Sequence, residues 1–302
     1  MKHAKIAIIG AGSVGSTIAY TLLVKNIAAE IVLIDINQKR CMGEVYDISD
    51  ALSFSGTSKI KTADIENAKN ADIIIVAAGI AQKPEQTRED LVKVNKKIVT
   101  SIMRDLNPAN NDNIVIMVTN PVDAMTFYAQ QASGLPHQKI FGTGTFLDTQ
   151  RLRGLISKKL NIAEQSIHAY ILGEHGDSQF PAWSTARIAG TPIINFPEMS
   201  EDNLEMYAKK TREKVYEIIK CKGATYFGIA ACVSALCENI IFNQQRIAPV
   251  STFIKKFNLY ISLPAVIGYN GIQQVIPIPL NEKEQGQLEQ SAQTIQKTID
   301  SA

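Results

Sequence analysis

Short apolar runs alternate with helical patterns along the first half of the chain. The runs lie at residues 5–10, 30–35, 72–78 and 113–120, and they are continuous and rich in Ile and Val. Runs of this kind are typical of strands that are buried on both faces of a parallel sheet. The segments between them, one of them at residues 86–105, have the apolar spacing of helices. The pattern therefore predicts an α/β fold with a doubly wound parallel sheet and right-handed crossovers.

The pattern changes in the second half of the chain. Helices are expected at residues 146–160 and 224–242, with a longer amphipathic helix between them and another helix at the C-terminus. Strand-like runs occupy roughly residues 250–276, and no repeat or low-complexity linker separates the halves. We therefore expect two directly packed domains with a cleft between them. The first, residues 1–142, contains the doubly wound sheet, and the second, residues 143–302, is an α+β domain.

The composition argues against several classes of protein. Lys and Arg number 31 and Asp and Glu 29, so no excess of either charge points to nucleic acid or to a disordered acidic tail. The apolar runs are far shorter than a bilayer span, and the first ten residues are too charged for a signal peptide. The four cysteines lack Cys-x-x-Cys spacing, which favours reduced thiols over a metal or disulfide role. We therefore expect a cytoplasmic protein without a metal, nucleic-acid or membrane partner.

A glycine-rich segment follows the first predicted strand and opens a predicted helix. In GAGSVG, the residues Gly10, Gly12 and Gly15 have Gly-x-Gly-x-x-Gly spacing, and Asp35 ends the next strand 20 residues after Gly15. Gly10 permits a tight turn, Gly12 lets the backbone approach a pyrophosphate, and Gly15 lets the helix pack on the strand. Asp35 can accept ribose hydroxyls and repels a 2′-phosphate. The segment thus predicts a Rossmann-like site for NAD, in preference to NADP or to a glycine turn without a ligand.

Two further features leave the chemistry at this site open. Arg40 either reaches the adenosine side of the cofactor or is a solvated charge on a helix. Tyr216 and Lys220 have the Tyr-x-x-x-Lys spacing of short-chain dehydrogenases, but they lie late in the chain on an ordinary amphipathic helix. We interpret this pair as coincidental. The dinucleotide motif alone therefore does not select a reaction.

Three segments carry residue types that acid–base chemistry in a cleft requires. Asn120 ends an apolar strand in TNPVD, Asp148 and Arg151 lie in LDTQRLR, and His175 lies between glycines and acids in GEHGDS. Asp148 and Arg151 are three residues apart on a predicted helix and therefore share one face. Taken singly, the pair could be a surface ion pair and the histidine a structural residue. Together with a dinucleotide fold they predict a catalytic cleft.

The order of these motifs resembles the lactate/malate dehydrogenase family nearly from end to end. The resemblance is carried by GAGSVGS, AGIAQKPEQTREDLV, TNPVD, GTGTFLDTQRLR, GEHGDS and KGATYFGIA. It implies hydride transfer between NAD and a small 2-hydroxy acid, with pyruvate and L-lactate as the expected pair. A malate or broader 2-hydroxy acid dehydrogenase is the alternative within the family. An NAD-binding protein without catalysis is the alternative outside it.

The resemblance assigns a role to each residue of the expected catalytic group. His175 is the proton donor and acceptor, and Asp148 holds its ring and stabilises the imidazolium. Arg151 binds the substrate carboxylate through two parallel hydrogen bonds, which a lysine could not reproduce. The resemblance therefore predicts that these three side chains meet in one cleft.

Four more residues are expected to contact the substrate. Arg88 is expected to polarise the substrate carbonyl when its loop closes. Asn120 is expected to bond the substrate oxygen or the nicotinamide, and Thr225 to lie along the small side of the substrate. Gln82 matches the position where malate dehydrogenases carry an arginine for a second carboxylate. Because a neutral glutamine leaves that buried charge unpaired, Gln82 favours pyruvate over oxaloacetate.

The resemblance also implies an activator, an assembly and further cofactor contacts. Arg153 and His168 match positions that bind fructose bisphosphate at a subunit interface in bacterial relatives, and a purely structural role for both is the alternative. A homotetramer is expected. Further cofactor contacts are expected at Val14, Gly79, Ile80, Ser101, Val118, Thr119, Asn120 and Thr143.

Overall fold

A computed structural model describes residues 4–80, 88–106 and 112–302 of the chain. Within these residues the α-helices are α1 (Ser13–Val24), α2 (Gln38–Asp50), α3 (Arg88–Leu106), α4 (Val122–Ser133), α5 (Phe146–Leu160), α6 (Glu201–Lys222), α7 (Phe227–Ile241) and α8 (Glu282–Asp300). The strands are β1 (Lys5–Ile9), β2 (Glu30–Ile34), β3 (Lys59–Thr62), β4 (Ile73–Val76), β5 (Ile114–Met117), β6 (Ile140–Gly142), β7 (Ile167–His168), β8 (Ile171–Leu172), β9 (Phe180–Pro181), β10 (Arg187–Ile188), β11 (Thr191–Pro192), β12 (Arg246–Ile254), β13 (Leu259–Gly268) and β14 (Gly271–Val275).

The main sheet runs in the order β14-β13-β12-β6-β5-β4-β1-β2-β3 across the described part of the chain. Strands β1 to β6 are each parallel to their neighbours among these six, which confirms the predicted doubly wound architecture. The chain order reverses at β1, because β2 and β4 lie on its two sides. In open α/β sheets, ligands bind at the carboxyl ends of the strands where this reversal occurs. The topology therefore brings the segments that follow β1 and β4 to one crevice.

The apolar runs are continuous because helices cover both faces of the sheet. All four residues of β4 are buried. Ile74 and Val76 belong to the layer that includes apolar residues of α3, α4 and α8. Ile73 and Ile75 belong to the opposite layer, with residues of α1, α2 and α7. Successive side chains of a strand point to opposite faces. A strand that is buried on both sides therefore has no position that faces water, and its sequence is a continuous apolar run.

Two parallel strands do not show this pattern in the sequence. Strand β3 is at the edge of the sheet, and three of its four residues are exposed, so its sequence KIKT contains no apolar run. Strand β6 is only three residues long, although all three are buried. A search for apolar runs therefore finds β1, β2, β4 and β5 and misses these two strands.

The second half of the chain extends the same sheet. Strand β12 is antiparallel to β6, with Ser251 opposite Gly142, and β12 to β14 form an antiparallel meander. Two small antiparallel sheets, β11-β10-β7 and β8-β9, lie outside the main sheet. This mixture confirms the predicted α+β character of the second half. The exact residue at which one domain ends, placed after residue 142, stays a prediction.

The helices of the second half agree with the apolar spacing, with one difference. Helix α5 spans the predicted residues 146–160, and α7 lies within the predicted segment 224–242. The predicted C-terminal helix is α8, in which the helically spaced apolar residues Leu288, Ala292, Ile295 and Ile299 are all buried. Helix α6, however, buries its apolar face only in its N-terminal half, and beyond it Tyr216 is 57% exposed and Ile219 44% exposed. The amphipathic pattern of α6 therefore continues onto the surface of the chain.

None of the helices in the described residues is both long and apolar enough to cross a membrane. All four cysteines are free thiols in the structure, and three of them, Cys41, Cys232 and Cys237, are buried. Burial raises the pKa of the Cys41 thiol and keeps it protonated.

Candidate active site

Four of the residues predicted to act on a substrate line one cavity. Asn120, Asp148, Arg151 and His175 surround a space of about 330 Å³ beside the carboxyl end of β5. They come from three separate parts of the chain, the turn before α4, helix α5 and the loop after β8. The structure therefore assembles the cleft that the motifs predict.

Asp148 joins the two cationic side chains of the cavity. It is 1% exposed, and it lies in the first turn of α5, where a negative charge is favoured by the helix dipole. Its Oδ2 lies 2.7 Å from Nδ1 of His175, and its Oδ1 accepts a bond from the Arg151 guanidinium at 3.0 Å. Both oxygens of one carboxylate are therefore used, each for a different partner.

Neighbouring charges shift the pKa values of Asp148 and His175. Burial alone would raise the pKa of Asp148, but the His175 ring and the Arg151 guanidinium hold it below its usual range. Burial alone would lower the pKa of His175, but the charge and hydrogen bond of Asp148 and the charge of Asp123 raise it above its usual value. Arg151 opposes that increase. The imidazolium form of His175 is therefore stabilised, as a proton donor at neutral pH requires.

The same bond also fixes the ring of His175. With Nδ1 bonded to the carboxylate, Nδ1 carries its proton, and Nε2 is the nitrogen that exchanges a proton with a substrate. Arg151 is 7% exposed and uses one of its five N–H donors on Asp148. Its remaining donors are available for an anionic group in the cavity. The geometry thus provides a proton donor and a carboxylate anchor side by side.

A second buried carboxylate holds the backbone of His175. Asp123, which is 3% exposed in the first turn of α4, accepts a bond from the peptide N–H of His175 at 2.8 Å. Burial raises the pKa of Asp123 to about 6, although the Ser251 hydroxyl and His175 favour its charged form. Asp123 is the last residue of the TNPVD segment. Sequence reasoning did not single it out, because its partner lies 52 residues away along the chain.

Asn120 is held by a buried asparagine from a neighbouring helix. The peptide bond between Asn120 and Pro121 is cis, and the Asn120 side chain lines the cavity. Asn95 of α3 is 1% exposed, and its side-chain N–H₂ donates to the carbonyl of Asn120 at 2.8 Å. The Oδ1 of Asn95 accepts a bond from the N–H of Ile80 at 2.9 Å. Asn95, also missed from the sequence, therefore ties the segment after β4 to the residue that lines the cavity.

The glycine-rich segment forms a cradle at the N-terminus of α1. Gly10 has a φ of +108°, and a Cβ there would lie 2.6 Å from the backbone nitrogen of Ala78. A Cβ on Gly15 would lie 1.8 Å from the carbonyl oxygen of Gly10, so only glycine lets α1 pack on this turn. A Cβ on Gly12 would meet nothing within 4 Å, and Gly12 caps α1 without a side-chain bond. Space and helix N–H groups at this point fit the pyrophosphate of a dinucleotide.

Asp35 supports the same cradle from the end of β2. Its Oδ2 accepts a bond from Ala11 N–H at 2.7 Å, and its Oδ1 accepts one from Asn37 N–H at 2.8 Å. A carboxylate has further lone pairs, so ribose hydroxyls can still bind to it. Arg40 is exposed and pairs with Glu44 at 3.6 Å, an arrangement that agrees with the solvated helix charge. The role of Asp35 in NAD binding stays a prediction, and so does that of Arg40.

The other cofactor contacts that the resemblance predicts lie at strand ends or on helices α1 and α3, and their roles stay predictions. Gly79 and Ile80 follow β4 and are exposed, and Val118 and Thr119 follow β5. Thr119 is fixed by bonds from its hydroxyl to the carbonyls of Val76 and Ala78. Val14 is half-buried in α1, Thr143 is buried after β6, and Ser101 is exposed on α3 with its hydroxyl 3.4 Å from Asp105.

Several predicted residues lie outside this cavity or outside the described residues. Gln82 and the Arg88 side chain are not among the described parts of the chain. Thr225 is half-buried before α7 and does not belong to the described lining of the cavity. Arg153 donates from Nε to the carbonyl of Ala169 and packs on the Tyr170 ring, while His168 is exposed on β7. The two contacts of Arg153 agree with the structural alternative for that residue.

The cavity also contains polar residues that the motifs did not indicate. Arg212 and Tyr216 of α6 line it, and the Tyr216 hydroxyl donates to Asp177 at 3.0 Å. Tyr216 thus belongs to the cavity wall, whereas Lys220 is not among the described lining residues. Gln179 also lines the cavity and is 9% exposed. The amphipathic spacing of α6 does not distinguish a cavity wall from a core face, so the sequence did not place Arg212 at the cavity.

Two family models match nearly the whole chain. The model described as lactate/malate dehydrogenase, NAD binding domain, matches residues 4–142. The model described as lactate/malate dehydrogenase, alpha/beta C-terminal domain, matches residues 145–302. The NAD-binding model therefore covers the glycine-rich cradle, and the C-terminal model covers Asp148, Arg151 and His175.

Individual relatives and solved structures agree with these matches. The chain is 39% identical to L-lactate dehydrogenase A of Rhizopus oryzae, over 97% of this chain and 91% of that one. It is also 39% identical to the L-lactate dehydrogenase of Lacticaseibacillus casei, over 99% and 94%. MGS-M5, a lactate dehydrogenase from a Medee basin deep-sea metagenome library, has a crystal structure that superimposes with a TM-score of 0.96 at 36% identity, covering 100% of this chain and 99% of that one.

Substitutions at Gly12 and Gly15 should distinguish an effect on dinucleotide binding from an effect on folding. Gly12→Ala adds a methyl group where the structure has open space, so we expect a normal melting temperature but dinucleotide affinity weakened by about tenfold or more. Gly15→Ala forces α1 away from the turn and is expected to cost about 1–3 kcal/mol of stability or more. Fluorescence titration with NADH and thermal melts check both variants. Unchanged NADH affinity in Gly12→Ala would place the pyrophosphate elsewhere.

Proposed function

The chain belongs to the lactate/malate dehydrogenase family, and we propose that it interconverts pyruvate and L-lactate with NAD as cofactor. The observation that carries the proposal is the group formed by His175, Asp148 and Arg151 around one cavity. This group offers a proton and a carboxylate anchor to the same small molecule. The relatives named L-lactate dehydrogenase, which match along nearly their whole length, support the same reaction.

The residues of the cavity perform the parts of the reaction that a cofactor does not. Arg151 binds the carboxylate of the 2-keto acid through its free N–H groups and so orients the keto carbon. His175 gives the proton on Nε2 to the keto oxygen, and Asp148 stabilises the imidazolium before that transfer. When bound in the cradle, NADH supplies the hydride for the keto carbon. In the opposite direction neutral His175 accepts the hydroxyl proton of lactate.

We propose that the pocket prefers pyruvate because Gln82 offers no charge to a second substrate carboxylate. By resemblance, Arg88 polarises the carbonyl, and Gln82 meets the group beyond the keto carbon. A second carboxylate beside a neutral glutamine in a closed site is an unpaired buried charge, which is unfavourable. Thr225 lies along the small side of the substrate in the same proposal. The small methyl group of pyruvate suits this pocket better than oxaloacetate does.

We propose that the chain assembles as the homotetramer that the family resemblance implies, in the cytoplasm. Large apolar side chains are exposed near two helices: Tyr46 of α2 is 64% exposed, Phe54 shortly after α2 is 92% exposed, and Phe227 at the start of α7 is 68% exposed. In the proposed assembly, a subunit interface would remove these side chains from water. Fructose bisphosphate as an activator rests on Arg153 and His168 alone. Activity at low pyruvate with and without it separates activation from the structural alternative.

The raised pKa of His175 predicts how the binding of pyruvate and of lactate changes with pH. Pyruvate requires the protonated ring, and the raised pKa of His175 extends that form to higher pH than a free histidine allows. Pyruvate binding to the NADH complex should therefore hold at low pH and weaken by about tenfold per pH unit above the His175 pKa. Lactate binding should show the opposite trend. Equilibrium titration across pH measures both, and a pyruvate affinity that is flat between about pH 5 and 9 excludes His175 from this role.

The role of Gln82 is tested by comparing two substrates of NADH oxidation. The parent protein should have a higher kcat/KM with pyruvate than with oxaloacetate. Gln82→Arg should raise the ratio of oxaloacetate to pyruvate kcat/KM by about 100-fold, because it supplies the missing charge for the second carboxylate. Gln86→Arg adds the same charge to the same segment and is the matched control, with the ratio unchanged.

Each outcome of this comparison has a distinct meaning. If Gln82→Arg keeps the full preference for pyruvate, Gln82 does not select the substrate. If the parent prefers oxaloacetate, the chain is a malate dehydrogenase that uses the same His175, Asp148 and Arg151. If it turns over neither substrate, the proposed reaction is wrong, and the alternative of an NAD-binding protein without catalysis is favoured.

A further inference from the structure

His175 is held at two points by carboxylates from two different helices. Asp148 of α5 holds the ring at Nδ1, and Asp123 of α4 holds the peptide N–H at 2.8 Å. The backbone before His175 is fixed at Gly173, which pairs with the backbone of Ser262 in both directions, at 3.1 and 3.0 Å. Gly176 follows His175 directly, and glycine restricts the backbone least of all residues. The bond to Asp123 fixes the peptide N–H of His175 between these two glycines.

Burial of the charged Asp123 carboxylate is energetically unfavourable unless a neighbouring group stabilises the charge. It is 3% exposed, and its second oxygen, Oδ1, has no hydrogen-bond partner among the described atoms. The Ser251 hydroxyl of β12 is near enough to favour the charged carboxylate but forms no hydrogen bond of normal geometry with it. An isolated buried carboxylate is unfavourable, so a positive partner or a fixed N–H is needed to keep it charged. His175 offers both, the N–H from its backbone and the charge from its ring.

The other charges around His175 do not replace this contribution. Asp148 raises the pKa of His175, whereas Arg151, bonded to the same Asp148, lowers it. Glu174, the neighbour of His175 in the chain, faces Ser178, to which its Oε2 is bonded, and it raises the pKa of Asp123. From α6, Arg212 lines the cavity as a further positive charge. With two guanidinium groups around one imidazole, a second carboxylate helps to keep the ring protonated.

We propose that Asp123 is a positioning residue for His175, whose carboxylate fixes the backbone of the catalytic loop and whose charge stabilises the imidazolium. The proposal rests on the proposed function, because it assigns His175 the proton transfer. Asp123 touches neither substrate nor cofactor in this role and acts through His175 alone. Asp123 therefore adds a second carboxylate to the pair of His175 and Asp148 that the motifs predicted.

The direct test is the titration of the His175 ring by NMR in the full-length chain. Histidine-selective ¹⁵N labelling gives few signals, and the variant His175→Asn identifies the one that belongs to His175. Asp123→Asn keeps an oxygen acceptor for the peptide N–H but removes the charge, so the His175 pKa should fall by about one unit. Asp47→Asn removes an equal charge from an exposed position of α2, outside the described lining of the cavity, and should leave the His175 pKa nearly unchanged. A His175 pKa equal to that of the parent in Asp123→Asn overturns the proposal.

A second variant keeps the test decisive if Asp123→Asn does not fold. Ser251→Ala leaves the carboxylate and its bond to His175 but removes the hydroxyl that favours the charged form. Asp123 then binds a proton at higher pH, and the His175 pKa should fall in the same direction by a smaller amount. No shift of the His175 pKa in a folded Ser251→Ala protein counts against the proposal.

Kinetics distinguish positioning through the charge from a merely structural role. With Asp123→Asn, the rise of the pyruvate KM with pH should begin at lower pH, while kcat measured well below the His175 pKa stays within about threefold of the parent. A variant that lowers kcat equally at every pH, with no shift of the profile, shows a distorted loop and contradicts the proposal.

The two proposals can fail separately, because the NMR measurement does not depend on turnover. A lowered His175 pKa in Asp123→Asn, in a protein that does not reduce pyruvate, supports the role of Asp123 and rejects the proposed reaction. An unchanged pKa in a protein that reduces pyruvate rejects the role of Asp123 alone.

Discussion

One buried carboxylate holds the candidate active site together. Asp148 is almost fully removed from solvent, and removing an ionised carboxylate from water is costly unless cations and hydrogen bonds compensate for it. The compensation comes from His175 and Arg151, each bonded to a different oxygen. Replacing either cation would leave one of the two oxygens without its partner. The proton donor, His175, and the substrate anchor, Arg151, therefore both depend on Asp148. Its two oxygens fix the distance between them.

The fold supplies the rigid surroundings that this arrangement needs. Asp148 and Arg151 are fixed on one face of α5, and Asn120 stands at the carboxyl end of a fully buried strand, β5. The cradle for a dinucleotide lies at the reversal of strand order beside β1, and Asn95 ties the segment after β4 to Asn120. These contacts bring the cofactor cradle and the acid–base group to one edge of the sheet. The proposed reaction requires that proximity, because hydride and proton must reach adjacent atoms of one substrate.

Much of this could be predicted from the sequence, for identifiable physical reasons. The double burial of β4 and β5 leaves continuous apolar runs, and the helical period by itself places Asp148 and Arg151 on one face of α5. The edge strand β3 left no such run because water covers it. Asp123 and Asn95 were not predicted because their roles are contacts with residues distant in the chain, which no local pattern records. The assignments of Gln82, Arg88 and the cofactor contacts rest on resemblance and stay predictions.

The central claim is that the charge of Asp148, rather than its volume, makes His175 and Arg151 work as one group. Asp148→Asn keeps the size and one acceptor oxygen while removing the charge, and kcat/KM for pyruvate reduction by NADH is the measurement. We predict a loss of about 100- to 10,000-fold, with the far-ultraviolet circular dichroism of the folded parent retained. A folded Asp148→Asn protein that keeps kcat/KM within about threefold of the parent would contradict the claim.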